Sequence, residues 1–110
     1  MSLFNTFIER EIQPGFYQTT IHYYKEIIPA DSKRQPYIKV QMNIDGIEVT
    51  DKWYANRIPY IMKCLRHQYR ADYMDFTLSQ LLEYGRKRAF TVQVTYDGYY
   101  GRQINYIEED

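Results

Sequence analysis

Between Tyr37 and Asp45 apolar and polar residues alternate without a break. Ile38, Val40, Met42 and Ile44 take one parity, and Tyr37, Lys39, Gln41 and Asn43 the other. A period of two marks a half-buried strand, because successive side chains point to opposite faces. Asp45-Gly46 follows, a dipeptide suited to a tight hairpin turn, and Ile47 to Tyr54 reads as the returning strand. Ile47, Val49 and Trp53 form its inward set, interrupted by Asp51. Glu48, Thr50, Lys52 and Tyr54 face the other way. Upstream, the helical spacing of Phe4, Phe7, Ile8 and Ile12 predicts a short helix over roughly residues 3–11. It lies within an N-terminal segment, 1–13, that Pro14-Gly15 ends. Phe16 to Ile28 is rich in Thr, Tyr and Ile and predicts one strand. Residues 29–36 are polar, bounded by Pro29 and Pro36, and predict a loop.

The pattern then changes to a period near 3.6. Ile58, Ile61, Met62, Leu65 and Tyr69 share a helical face, with Asn56 as a candidate cap and Pro59 suited to the first turn. A second helix is announced by Thr77 and Gln80 at capping-box spacing and by Phe76 and Leu81 at hydrophobic-staple spacing. Leu78, Leu81 and Leu82 would bury it, Gly85 would end it, and Arg86-Lys87-Arg88 would lie in a connector. Phe90, Val92, Val94 and Tyr96 alternate with Thr91, Gln93 and Thr95 as another strand. Asp97 to Gly101 reads as a turn and Arg102 to Ile107 as a last strand, before an acidic tail at 108–110.

This order predicts an α+β, mainly β domain spanning residues 1–110. It is OB-like: a five-stranded partly open barrel with a helical insertion between strands 3 and 4 and a short N-terminal helix. A five-stranded open sheet with helices on one face would give the same string.

Composition narrows the function. With 110 residues and 45% apolar content the chain suits one core and not disorder. No apolar run approaches the ~18 residues that a membrane helix needs. The first residues lack a basic region followed by an apolar stretch, so no secretory signal is expected. The lone Cys64 excludes an internal disulfide framework and sits in an apolar helical pattern, as a core thiol would. A cytoplasmic setting is the natural expectation. Net charge is zero, yet residues 33–102 carry 12 Lys/Arg against 7 Asp/Glu, and the two ends carry the reverse excess. Ordinary solvated surface accounts for that pattern as readily as polyanion binding does.

No catalytic constellation is visible. His22 and His67 lie on different elements, no Cys/His spacing suits a metal, and no glycine-rich phosphate loop, nucleophile elbow or HExxH occurs. The expectation is a binding protein with no enzymatic activity, cofactor or metal.

What could bind is the interleaving of aromatic and basic residues. Tyr37, Lys39, Lys52 and Tyr54 share the polar faces of two adjacent strands, Arg57 follows, and the last turn adds Tyr99, Tyr100 and Arg102. Basic grooves with aromatic platforms hold single-stranded nucleic acid through phosphate contacts and stacking. The thirteen tyrosines also suit strands, and a tyrosine-rich sheet face can equally meet a protein.

Several runs together resemble small replication-module proteins of Gram-positive phages and mobile elements. They are Pro36-Tyr37-Ile38-Lys39-Val40, Ile44-Asp45-Gly46, Asp51-Lys52-Trp53-Tyr54, Gln93-Val94-Thr95-Tyr96-Asp97 and Gly101-Arg102-Gln103. Some of those proteins are OB-fold single-stranded-DNA-binding proteins. The resemblance covers about residues 14–107 and implies coating of displaced single strands, with replication or recombination proteins recruited through an acidic tail. The tail here is short and lacks an Asp-rich, Pro-Phe ending. The expected partner is therefore single-stranded nucleic acid, most naturally DNA, with homo-oligomerisation left open and no membrane contact. The alternative is a phage or plasmid protein-interaction or regulatory module.

Overall fold

The computed structural model describes residues 11–70 and 75–108. The N-terminal helix expected over residues 3–11 falls almost wholly outside them. Six strands and two helices follow: β1 (Gly15–Thr19), β2 (Ile21–Ile27), β3 (Tyr37–Ile44), β4 (Ile47–Tyr54), α1 (Ile58–Gln68), α2 (Leu78–Lys87), β5 (Phe90–Asp97) and β6 (Gly101–Tyr106). They form two three-stranded antiparallel sheets, β1-β5-β6 and β2-β3-β4. The expected five-stranded barrel with its helical insertion between strands 3 and 4 is thus not what forms. Among the described residues there are six strands in two open sheets, and the two helices follow the fourth strand.

The correction begins at Thr20, where the expected single strand of residues 16–28 divides. Gly15–Thr19 pairs with β5, whereas Ile21–Ile27 pairs with β3. Thr19 is buried, and its hydroxyl donates to the Asn43 carbonyl at 2.7 Å. That bond ties the end of β1 to the far end of β3, so the chain leaves one ladder and enters the other within two residues. A register shift between Ile21 and Tyr23 then places an extra residue, His22, in β2. A bulge of this kind reverses the parity of every residue after it.

The β3–β4 hairpin has the expected register, from Tyr37 opposite Tyr54 to Ile44 opposite Ile47. Asp45 and Gly46 both have positive φ, 53° and 80°, the backbone that a type I′ turn demands, and the Asn43 side chain accepts the Gly46 amide. Val40, Met42, Ile44, Val49 and Trp53 are buried between the sheet and the helices. Cys64 is a core residue, as expected. Tyr96 does not join the inward set of β5. It is 43% exposed, and its hydroxyl donates to the carbonyl of Ile12.

The helices differ from expectation in three details. Asn56 is not the α1 cap; that position is Arg57, whose side chain carries no acceptor and turns back to β4. Pro59 does lie in the first turn. Gly85 does not end α2, which runs on to Lys87, so Arg86 and Lys87 are helical and Arg88 is the C-cap. Gly85 is there because α2 crosses β2 closely. A Cβ at that position would stand 2.9 Å from Ile21 Cδ1. The capping box is complete: the Thr77 hydroxyl accepts the Gln80 amide at 3.3 Å, and Gln80 Oε1 accepts the Thr77 amide at 2.8 Å. The Thr77→Ala variant should therefore unfold with ~1 kcal/mol less stability in chemical denaturation. An unchanged midpoint and slope would show that the box does not stabilise α2.

Candidate functional site

The inward residues of β2, β3 and β4 fill the core, so their alternate residues form an outer sheet face. The ladders place that face in rows. Lys25 lies opposite Lys39, and Lys39 opposite Lys52. On one side runs Ile27, Tyr37 and Tyr54; on the other, Tyr23, Gln41 and Thr50. Three ammonium groups therefore cross three adjacent strands, flanked by tyrosines on both sides. Strands lie about 4.8 Å apart, and like charges directly opposite one another are unfavourable. Among the described residues none of the three lysines forms an ion pair. Lys52 leans toward the aromatic row, its Nζ 5.2 Å from the Tyr37 ring centroid. The Tyr37 and Tyr54 rings are 5.3 Å apart and tilted by 49°, so they do not stack flat.

At the end of these rows the β2–β3 connection arches over the face. A turn closes it, with the Arg34 amide donating to the Asp31 carbonyl at 3.1 Å and Asp31 Oδ1 accepting the Lys33 amide at 3.0 Å. Beneath the arch lies an open concavity of about 740 Å³, lined by Ile27, Pro29, Arg34, Gln35, Tyr37, Lys52 and Tyr54 among others.

The eight residues singled out from the sequence separate into groups. Tyr37, Lys39, Lys52 and Tyr54 come together on the outer face. Arg57, Tyr100 and Arg102 line a second concavity, of about 520 Å³, between the edges of β4 and β6. Tyr99 stands beside Tyr100, ring centroids 4.8 Å apart, at the tip of the β5–β6 turn, where both are well exposed. Tyr23 and Lys25 are part of the face and were missing from the sequence reading. Their signal was the alternation Tyr23, Lys25, Ile27, which only the bulge at His22 brings into phase with Lys39.

Arg57 has a structural task. Its guanidinium donates to Asp51 Oδ1 and Oδ2 at 3.1 and 3.3 Å, and to the carbonyls of Lys52 and Ile104 at 2.6 and 3.4 Å. Asp51, with a side chain 12% exposed, also accepts the Tyr106 hydroxyl at 2.9 Å, and that hydroxyl accepts Trp53 Nε1–H at 2.8 Å. Burial first, and then the Asp51 charge, holds the Tyr106 phenol well above its ordinary range.

Among the described residues no cluster of three or more His, Cys, Asp or Glu side chains is arranged to hold a metal ion. None of the described helices is long and apolar enough to cross a membrane. Comparisons with protein-family models, curated proteins and solved structures return no match.

Arg57→Ala should lower folding stability by roughly 1–2 kcal/mol, the partial exposure of the pair keeping it below the loss of a fully buried one. A denaturation midpoint equal to wild type would remove Arg57 from the set of structural residues. A second expectation concerns the β5–β6 turn. The amides of Tyr100 and Tyr99 donate to Asp97 Oδ1 and hold its carboxyl below the ordinary value of 3.8. A folded-state value that is depressed contributes stability above the unfolded value and loses it as pH falls through the folded one. The Tyr99 and Tyr100 amide resonances should therefore titrate with a midpoint below 3.8. A midpoint at or above it would mean that Asp97 does not organise the turn.

Proposed function

We propose that the outer face of β2-β3-β4 binds single-stranded nucleic acid without catalysis, with DNA as the first ligand to test. The observation that carries this reading is the lysine row Lys25-Lys39-Lys52, without ion pairs among the described residues, between two rows containing tyrosine. A phosphate chain lying across the strands relieves the repulsion among the lysines, and bases displaced to the side meet tyrosine rings. Phosphate contacts supply salt-dependent affinity, and each stacked base adds roughly 1–3 kcal/mol. The exposed Tyr99 and Tyr100 and the cation Arg102 would extend the track past β4, with Arg57, already engaged with Asp51, beside them. Recruitment of replication or recombination proteins would be a separate property of the same protein.

The alternative is a tyrosine-rich face that meets a protein. It is the weaker reading because interface centres are depleted in lysine, and this face has a lysine row at its centre.

Fluorescence anisotropy with labelled oligo-dT over a range of salt separates the two. Three phosphate contacts predict that log K falls with log salt at a slope of about −2. Lys25→Ala and Lys39→Ala should each reduce the slope by ~0.7 and leave thermal stability equal or slightly raised. Tyr54→Ala should weaken binding by ~1–3 kcal/mol with the slope unchanged. Absence of binding at low salt and micromolar protein would overturn the reading in favour of a protein partner. Binding that none of these variants alters would place the site elsewhere.

A further inference from the structure

We infer that the concavity beneath the β2–β3 arch takes a single base out of the bound strand, so that one nucleotide position dominates recognition. The inference rests on the strand-binding reading above and adds a pocket with room for a base and a fixed register to it.

The outer face has two unlike regions. Over Lys25, Lys39 and Gln41 it is a plain sheet surface, able to hold a backbone but not to enclose a base. At the arch it becomes a concavity of about 740 Å³. That lies within the ~300–1,000 Å³ of pockets that enclose small ligands. Its lining has the chemistry that a nucleobase requires. Ile27, Pro29 and the Tyr37 and Tyr54 rings give apolar and aromatic walls, while Gln35 offers an amide able to donate to and accept from a base edge.

Lys52 connects the two regions. It belongs to the lysine row and also lines the concavity. A nucleotide whose phosphate sits on Lys52 therefore has its base at the mouth of the pocket, without any change in the path of the backbone. The Tyr37 and Tyr54 rings meet in a tilted contact, 49° between their planes, and not in a flat stack. The Lys52 ammonium already stands by the Tyr37 ring, which leaves Tyr54 as the stacking platform.

The test is an abasic scan on the full chain. Oligo-dT is first trimmed to the shortest length that keeps full affinity, so that the strand cannot slide, and one abasic residue is then placed at each position in turn. One position should lose roughly five- to a hundredfold in affinity, the equivalent of one stacked base, and the others about twofold or less. Ala30 is exposed and lines the concavity. Ala30→Trp, which puts an indole into it, should bind the intact strand no better than the strand that is abasic at the sensitive position, and Ala30→Leu should fall between. A uniform abasic penalty along the strand would overturn the pocket while leaving strand binding in place. So would a positional contrast that survives Ala30→Trp in a protein with unchanged circular dichroism. Failure of the intact oligonucleotide to bind at all would instead remove the reading on which the pocket rests.

Discussion

Asp51 is a carboxylate in the inward-facing set of β4, and its burial is tolerable only because donors converge on it. Both Arg57 nitrogens, the Tyr106 hydroxyl and the Lys52 amide all point to its oxygens. A carboxylate deprived of such partners in a protein interior would be several kcal/mol out of balance. The consequence extends beyond one residue. β4 and β6 are edges of different sheets with no ladder between them, and this network, with Trp53 donating into it, joins them. It also fixes where α1 begins. Arg57 is the residue before the first turn, and its side chain faces backward to β4 instead of capping. With the sheets held at that seam, α1 packs on α2, β5 and β6, α2 packs on β2, and neither of these two helices covers the outer face of β2-β3-β4.

That uncovered face carries an arrangement that a protein with no ligand has reason to avoid. Two directly opposed lysine pairs are unfavourable by roughly 0.2–1 kcal/mol each before salt screening. The sum is small beside the ~5–15 kcal/mol stability of a typical domain, so the fold survives it. The repulsion is nevertheless a standing bias toward anything that brings negative charge across three strands. The arch over residues 28–36 gives that bias a boundary on one side, because the concavity lies alongside the row and shares Lys52 with it.

The legible part of the sequence was the part whose local pattern and tertiary role coincide. Residues 37–44 alternate strictly because one face is core, and the Asp45-Gly46 turn fixes the partner register, so Tyr37, Lys39, Lys52 and Tyr54 could be placed on one surface from spacing alone. The capping box at Thr77 was legible for the same reason. Residues 16–28 were not. Thr20 is as good a strand former as its neighbours, and the change of sheet there goes with the Thr19 hydroxyl reaching Asn43, 24 positions away. The bulge at His22 leaves no mark in composition, yet it decides that Tyr23 and Lys25 face outward. Gly85 read as a helix stop because glycine commonly is one; only the approach of Ile21 reveals the steric reason. Arg57 read as a phosphate contact because a basic residue after a strand looks exposed, and its partners lie on β4 and β6.

Zero net charge does not argue against a polyanion ligand, because net charge is the wrong quantity. Many of the acids are engaged in holding the fold. Asp51 anchors the seam, Asp97 collects two turn amides, Glu108 pairs with Lys63 at 3.0 Å, and Glu48 lies 3.5 Å from His22. Glu83 accepts the Tyr24 hydroxyl and also meets Arg86. The Tyr24 bond comes first in holding its carboxyl below the ordinary range. The lysines of the outer face have no such partners among the described residues. At physiological salt a charge is felt over only about 8 Å, so a phosphate arriving at this face meets Lys25, Lys39 and Lys52 and not the balance of the whole chain. A neutral protein can therefore present a cationic row, provided its carboxylates stand clear of it, and here Asp51, Asp97, Glu83 and Glu108 are held at the seam, the turn and the helices, while Glu48, on the same face, lies at the hairpin end of β4 beside His22.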